Sequence, residues 1–101
     1  MGDWLGLLGF GARAGTLAIG VEAVRNDLQA GKLACVILAD DASPRALEKV
    51  GRLAAAKQVP VLRGVTADEL GSRLGRPPVM AAGVRDRKLA DGIGRSAADG
   101  H

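Results

Sequence analysis

Aromatic residues are almost missing from this chain of 101 residues, in which Trp4 and Phe10 are the only two. Hydrophobic residues still make up 48% of the sequence, so the core must be built from Leu, Val, Ile and Ala. A chain of this length is expected to form one domain that buries about two thirds of its unfolded surface. The composition therefore predicts a single domain with an aliphatic core.

Cysteine is limited to Cys35, which excludes a disulfide framework or a cysteine-based zinc site within one chain. We expect Cys35 to be a buried small hydrophobe, because it lies within the apolar segment Leu33–Ala39. No apolar run approaches the ~20 residues of a membrane span, and the N-terminus lacks the basic start and cleavage site of a secretory signal. We therefore expect a cytoplasmic protein with no membrane partner, no metal and no cofactor.

The charge balance permits a polyanionic partner without identifying one. The formal net charge is +3 and the isoelectric point is about 9.6. Most of the excess lies between residues 33 and 63, where basic residues outnumber acidic ones. Such a modest excess is compatible with RNA binding but also with an ordinary solvated surface.

Helical and apolar segments alternate along the chain. Helical spacing and glycine stop signals predict helices over Trp4–Ala14 and Val21–Ala30. The wholly apolar run Leu33–Ala39 predicts a strand, and shorter strands are predicted over Val59–Arg63 and Val79–Val84. This alternation predicts an α/β fold, a three-layer α/β/α sandwich with a small mixed sheet.

Two further helices carry local start signals. Ser43 as N-cap and Pro44 in the first turn start one helix, and Thr66 with Glu69 forms a capping box that starts another. The domain is predicted to span residues 1–90. Residues 91–101 contain several glycines and are predicted to form a flexible tail.

The first candidate site is the helix start at Gly20-Val21-Glu22. Glycine before a helix lets a ligand backbone approach closely, and a helix N-terminus favours phosphate oxygens. Glu22 has two interpretations: a carboxylate that complements the helix dipole, or an acceptor for the N–H groups of an exposed guanine. In the second interpretation Arg25, about one turn later, meets the RNA backbone.

Asp40-Asp41, at the end of an apolar strand, also has two interpretations. Paired carboxylates hold Mg²⁺ or act as an acid and a base, but they also form turns and help to order the following helix. No nucleophile and base can be paired in this sequence, and His101 is terminal. We therefore expect a protein that is not an enzyme, with a small phosphate- or nucleotide-binding domain as an alternative.

The third candidate is the loop Leu74–Met80, which two prolines stiffen and small apolar residues end. It has a structural interpretation, as the entry into a buried strand. It also has a functional one, as an apolar pad against which an unstacked RNA base rests.

Four segments, LLGFGARAGTLAIGVEAV, KLACVILADDAS, VPVLRGVTADELGSRLG and VMAAGVRDRKLA, resemble in order and spacing the bacterial branch of the ribosomal protein L7Ae/L30e superfamily. The resemblance runs from Leu5 to about Ala90. It implies the L30e-like form of the α/β/α sandwich and recognition of kink-turns, which are bulged RNA duplexes with tandem sheared G·A pairs. It also implies ribosomal RNA and ribosomal proteins as candidate partners.

The resemblance places the family's Gly-Asn-Glu…Lys signature on Gly20, Val21, Glu22 and Arg25. Val21 replaces a polar reader with a β-branched hydrophobe, and Thr16 stands where many relatives carry lysine. The residues that it implies for RNA binding are Arg13, Thr16, Gly20, Val21, Glu22, Arg25, Asp40, Arg76, Pro77, Pro78, Val79 and Met80. The alternative function is a protein-interaction or structural module that keeps the fold without binding RNA.

Overall fold

The computed structural model describes residues 4–99 of the chain. Within them, helices alternate with short strands, as the sequence pattern predicts. None of these helices has the length and apolar character needed to cross a bilayer. In chain order the elements are α1 (Trp4–Ala14), β1 (Leu17–Ile19), α2 (Val21–Gln29), β2 (Cys35–Leu38), α3 (Pro44–Ala56), β3 (Val61–Leu62), α4 (Ala67–Arg73), β4 (Ala81–Val84) and α5 (Arg87–Asp99).

The strands form one mixed sheet in the order β1-β4-β2-β3. Strand β4 is antiparallel to both β1 and β2, whereas β2 and β3 are parallel. Ile19 pairs with Ala82, and Leu38 pairs with Ala81. The carboxyl ends of β1, β2 and β3 therefore meet the amino end of β4 at one edge of the sheet.

Helices cover both faces of this sheet. The side chains of β2 alternate between the two faces and are buried on both. Val36 and Leu38 join one core cluster with residues of α2 and α3. Cys35 and Ile37 join a second cluster with residues of α1, α4 and α5. The structure thus confirms the predicted three-layer α/β/α sandwich.

The local start signals of α3 and α4 act as predicted. The Oγ of Ser43 accepts a hydrogen bond from the amide of Ala46 at 3.2 Å. At α4, the amide of Glu69 donates to Thr66 Oγ1 at 3.1 Å, and the amide of Thr66 donates to Glu69 Oε1 at 3.0 Å. Each cap satisfies backbone donors that the helix itself leaves unpaired, worth about 1 kcal/mol.

The strands β3 and β4 begin two residues later than predicted. Their apolar flanking residues bond to helices instead of to neighbouring strands. The amide of Val59 donates to Ala54 O at the end of α3, and that of Val79 donates to Ala67 O at the start of α4. Apolar residues therefore precede these two strands as well as forming them, and apolar character alone did not locate the strand starts.

Helix α5 runs from Arg87 to Asp99 and so crosses the domain boundary predicted at residue 90. Ala90 and Ile93 are both buried and belong to the core cluster under α1 and α4. At Gly11 a β-carbon would lie 2.6 Å from Leu89 Cδ2, so this glycine of α1 allows α5 to lie close, and Gly92 of α5 faces Leu7 at an ordinary contact distance. Residues 100 and 101, including His101, lie outside the described residues.

Candidate nucleic-acid interface

Gly20 makes the sharp turn from β1 into α2. Its φ of 100° and ψ of 157° lie in a region that only glycine occupies without strain. Its amide donates to the carbonyl of Ala81 at 2.9 Å, which ties the helix start to the first residue of β4. Among the described residues no side chain caps the helix start with a hydrogen bond.

Glu22 and Arg25 form a two-pronged ion pair on the exposed face of α2. Arg25 Nη1 lies 3.2 Å from both Glu22 Oε1 and Glu22 Oε2. The Glu22 side chain remains 75% exposed, whereas that of Arg25 is 30% exposed. Arg25 is therefore engaged with Glu22, and the carboxylate keeps lone pairs free to accept further donors.

Val21 lies between these features but faces the protein. It is half-buried and packs against the core cluster that α2 and α3 share. A β-branched hydrophobe at this position adds to the core, where a polar reader would have faced outwards. The structure thus gives Val21 a packing role and shows no polar group at this point of the predicted signature.

The loop before β4 is braced from two sides. The amide of Val79 donates to Ala67 O, and the carbonyl of Met80 accepts from the amide of Ala39 at 2.8 Å. Val79 is buried, whereas Met80 is 39% exposed. The apolar pad predicted here is therefore Met80, with the exposed Pro77 and Pro78 beside it and Val79 as its buried anchor.

These bonds bring separate segments together at one end of the sheet. Gly20 bonds to Ala81, whose neighbour Met80 bonds to Ala39, whose neighbour is Asp40. Glu22 follows Gly20 by two residues. We call this group, defined by Gly20, Glu22, Asp40 and Met80, the α2–β4 edge.

The two aspartates that follow β2 both accept hydrogen bonds from backbone amides. Asp40 Oδ1 accepts from the amide of Gly64 at 3.0 Å and lies 3.3 Å from Arg63 Nε. Asp41 Oδ1 accepts from the amide of Ala67 at 2.7 Å, in the first turn of α4. The turn interpretation is thus supported, but the helix that Asp41 helps to order is α4 and not the following helix α3, because β2 and β3 end side by side.

The structure gives no support to the interpretation of Asp40 and Asp41 as a metal site or as a catalytic acid and base. Within residues 4–99 no three His, Cys, Asp or Glu side chains are grouped so that they could hold a metal ion. Cys35 is buried as predicted. Burial, with a smaller contribution from the charge of Asp91, raises the pKa of its thiol to about 11, so it is protonated and unreactive at neutral pH.

Arg13 and Thr16 are not brought to the α2–β4 edge. Thr16 lies before the opposite end of β1, where its carbonyl accepts from the amide of Arg85, and its hydroxyl donates to Gly11 O at 3.2 Å. An extended segment from Thr16 to Gly20 covers about 13 Å. Arg13 is exposed in the last turn of α1 and faces the end of α4.

Arg63 is a cation that the sequence interpretation missed. Its guanidinium reaches this end of the sheet through Asp40, 23 positions earlier in the chain. The parallel pairing of β2 with β3 places both strand ends together, and only a strand-order prediction could have signalled it. Arg76, predicted in the loop, is exposed and lies after the end of α4.

Comparison with solved structures shows the same fold in two proteins. A protein of unknown function from Bacillus halodurans C superposes with a TM-score of 0.91 at 30% identity, over 97% of this chain and 99% of its own. The Giardia lamblia 15.5kD RNA binding protein superposes with a TM-score of 0.77 at 23% identity, over 94% of this chain and 82% of its own. No curated protein sequence matches the chain.

A comparison with family models identifies the family of the chain. The model of the ribosomal protein L7Ae/L30e/S12e/Gadd45 family matches residues 3–92, which is nearly the whole chain. This match covers the α2–β4 edge and all four segments on which the sequence resemblance rests. The resemblance is thereby confirmed at the level of the family: the chain belongs to the ribosomal protein L7Ae/L30e/S12e/Gadd45 family.

Proposed function

We propose that this protein binds structured RNA through the α2–β4 edge, and that the RNA it recognises is a kink-turn. Family membership supports RNA as the partner, and the Giardia protein with the same fold is named as an RNA binding protein. Membership also confirms the prediction that the chain is not an enzyme. We propose ribosomal RNA and ribosomal proteins as its surroundings, and the cytoplasm as its location.

The observation that carries the proposal is the exposed, oriented carboxylate of Glu22. Arg25 holds both of its oxygens at 3.2 Å, which restricts the side chain before any ligand arrives. A carboxylate accepts two adjacent N–H donors well, and the N1 and N2 edge of a guanine offers such a pair. Glu22 would therefore read a guanine of a sheared G·A pair.

The neighbouring residues suit a close RNA backbone and an unstacked base. Gly20 has no side chain to keep a ribose or phosphate away, and a β-carbon there would meet nothing within 4 Å. Met80 offers an exposed apolar surface on a braced loop, as RNA-binding proteins do for bases outside the stack. In this arrangement the protein selects a bent RNA conformation that the free RNA already samples.

The test is a gel-shift titration with a kink-turn RNA at fixed salt. The second RNA has its sheared G·A pairs replaced by Watson–Crick pairs. The protein variants are Glu22→Gln and the matched control Glu48→Gln, since Glu48 forms a comparable exposed pair with Arg52 on α3. We expect tight binding only for the intact kink-turn, a loss of about tenfold or more with Glu22→Gln, and none with Glu48→Gln.

Three results would count against the proposal. Equal binding of both RNAs would show a general RNA binder that reads charge. Absence of binding by the folded protein would favour the alternative, a protein-interaction module that keeps this fold. Equal losses in Glu22→Gln and Glu48→Gln would place the contact away from the α2–β4 edge.

A further inference from the structure

Phe10 is a large aromatic side chain that the fold leaves in solvent. It is 62% exposed, although Trp4, on the same helix, packs against the core. Phe10 and Arg13 are three residues apart on α1, so their side chains are neighbours on the helix surface. An exposed ring beside a guanidinium is the combination with which proteins hold single-stranded nucleic acid.

Beside Arg13 a cleft opens between the last turns of α1 and α4. The two helices approach closely because Gly9 has no side chain: a β-carbon there would lie 3.3 Å from Arg73 O. The cleft has a volume of about 290 Å³. It is lined by Gly9, Ala12, Arg13, Ser72, Arg73, Leu74 and Gly75.

The charges in this cleft are of one sign. Arg13 and Arg73 line it, and none of the described carboxylates does. Four other arginines form ion pairs in the structure, but among the described residues neither Arg13 nor Arg73 has a side-chain partner. Both sit at helix C-termini, which favour cations, yet the two guanidinium groups leave positive charge that no side chain lining the cleft neutralises.

We propose that this cleft and Phe10 form a second RNA contact, which takes one unpaired nucleotide. Its phosphate lies between Arg13 and Arg73, and its base stacks on the Phe10 ring. Guanidinium groups match phosphate oxygens in pairs, and a base of any sequence can stack on an aromatic ring. The contact adds affinity without sequence preference. It rests on the proposed function, because it extends the same RNA.

The chain connects this contact to the α2–β4 edge. Gly75, at the rim of the cleft, begins the loop that ends at Met80. Five residues span at most about 18 Å, so a strand that leaves a duplex at the edge can reach the cleft. The two arginines favour an anionic partner, and the exposed Phe10 ring favours a partner that carries bases, so a nucleic acid suits this surface better than an acidic protein surface does.

The test compares a blunt kink-turn RNA with the same RNA carrying a six-uridine single-stranded extension. Titrations use the wild-type protein, Phe10→Ala, Arg73→Gln and the control Arg45→Gln. Arg45 is an exposed arginine of α3 that forms no ion pair with the described residues. We expect the extension to tighten wild-type binding about tenfold. Phe10→Ala and Arg73→Gln should abolish that gain and leave blunt-RNA binding unchanged, whereas Arg45→Gln should keep it. Arg73→Gln should also lower the salt slope on the extended RNA by about 0.7.

Further measurements keep the inference separable from the proposed function. Phe10→Tyr retains the ring and should retain the gain; its loss in the folded variant would overturn the stacking role. Wild-type protein that binds blunt RNA but gains nothing from the extension would overturn the inference alone. If no kink-turn binds, hexauridine by itself still tests the cleft, and binding that Phe10→Ala removes would support it. An oligomer seen by sedimentation and dissociated by Phe10→Ala would overturn it, since the ring would then contact a second copy.

Discussion

Arg85 donates from Nε to Oδ2 of Asp27 across 2.6 Å, and so joins the end of β4 to the inner face of α2. Asp27 is the buried charged residue among those described, with a residue exposure of 8%. The pair fixes the far end of the helix whose first turn forms the α2–β4 edge. Because buried acceptors are costly to leave unpaired, this contact should contribute to stability and to the placement of α2.

We expect Arg85→Ala to lower the free energy of unfolding by about 1–3 kcal/mol, since it leaves the Asp27 carboxylate buried without its partner. The half-exposed guanidinium keeps the loss below that of a fully buried pair. Urea denaturation followed by circular dichroism measures it. Arg52→Ala, which breaks the exposed pair with Glu48, is the control and should change stability by less than about 1 kcal/mol. Equal losses in the two variants would show that burial of Asp27 has no special weight.

Gly20→Ala tests the backbone of the helix start. The site has room for a methyl group, so the cost comes only from a φ of 100° that alanine rarely adopts. We expect a loss of about 1–3 kcal/mol in unfolding free energy and weaker RNA binding. Gly51→Ala is the matched control, because Gly51 also has open space but lies inside helix α3.

The control should move in the opposite direction. Alanine is favoured over glycine inside a helix, so Gly51→Ala should stabilise the protein by about 0.5–1 kcal/mol and leave RNA binding unchanged. Thermal or urea melts of both variants separate the two effects. A neutral Gly20→Ala would mean that the turn into α2 relaxes without strain.

The buried thiol of Cys35 should lower the free energy of unfolding in alkaline solution. Burial first, and the charge of Asp91 second, raise the pKa of its thiol from 9.0 to about 11 in the folded state. The unfolded chain then releases this proton at lower pH than the folded chain, so the contribution is intact below pH 9 and is lost as the pH rises towards 11. The full difference is on the order of 2–3 kcal/mol.

The measurement is the free energy of unfolding between pH 8 and about 11 for the wild type and for Cys35→Ala. The two proteins share every other titratable group, so the difference between them isolates the thiol. The wild type should lose stability relative to Cys35→Ala across this range. A constant difference would show that the thiol titrates alike in the folded and unfolded chains.

The features predicted correctly from the sequence depend on residues close together in the chain. The Thr66–Glu69 capping box and the Ser43 cap are complete within four residues, and each was predicted from its letters alone. The three-layer arrangement was predicted because helical segments alternate with apolar runs, and these runs are short and lack the spacing of polar residues that a helix shows. These patterns were sufficient for the α/β/α fold.

The features that were missed depend on contacts between distant residues. Asp41 caps a helix 26 positions away, and Asp27 meets Arg85 58 positions away. Neither partner is visible without the strand order. The glycines of α5 suggested a flexible tail, but Gly92 is where that helix passes close to α1.

Val21→Asn tests whether the family's polar reader can be restored. Asparagine at this position, next to Glu22 and behind Gly20, would add one base contact to a sheared G·A pair. Such a contact is worth ~1–3 kcal/mol, so kink-turn binding should tighten by about tenfold. Stability should fall modestly, because Val21 is half-buried against the core. Gel-shift titration gives the first quantity and urea denaturation the second.

Whether the tighter binding of Val21→Asn is specific for the kink-turn shows how the asparagine acts. If the amide reads a base, the RNA whose G·A pairs are replaced should gain nothing from Val21→Asn. Ala23→Asn is the positional control, since Ala23 is also half-buried on α2 but lies beyond the helix start. Equal gains for both RNAs would indicate a general effect of polarity. No gain for the intact kink-turn, in a variant that folds, would mean that the Val21 position faces the core in the complex too, and that Glu22 reads the RNA without a neighbour.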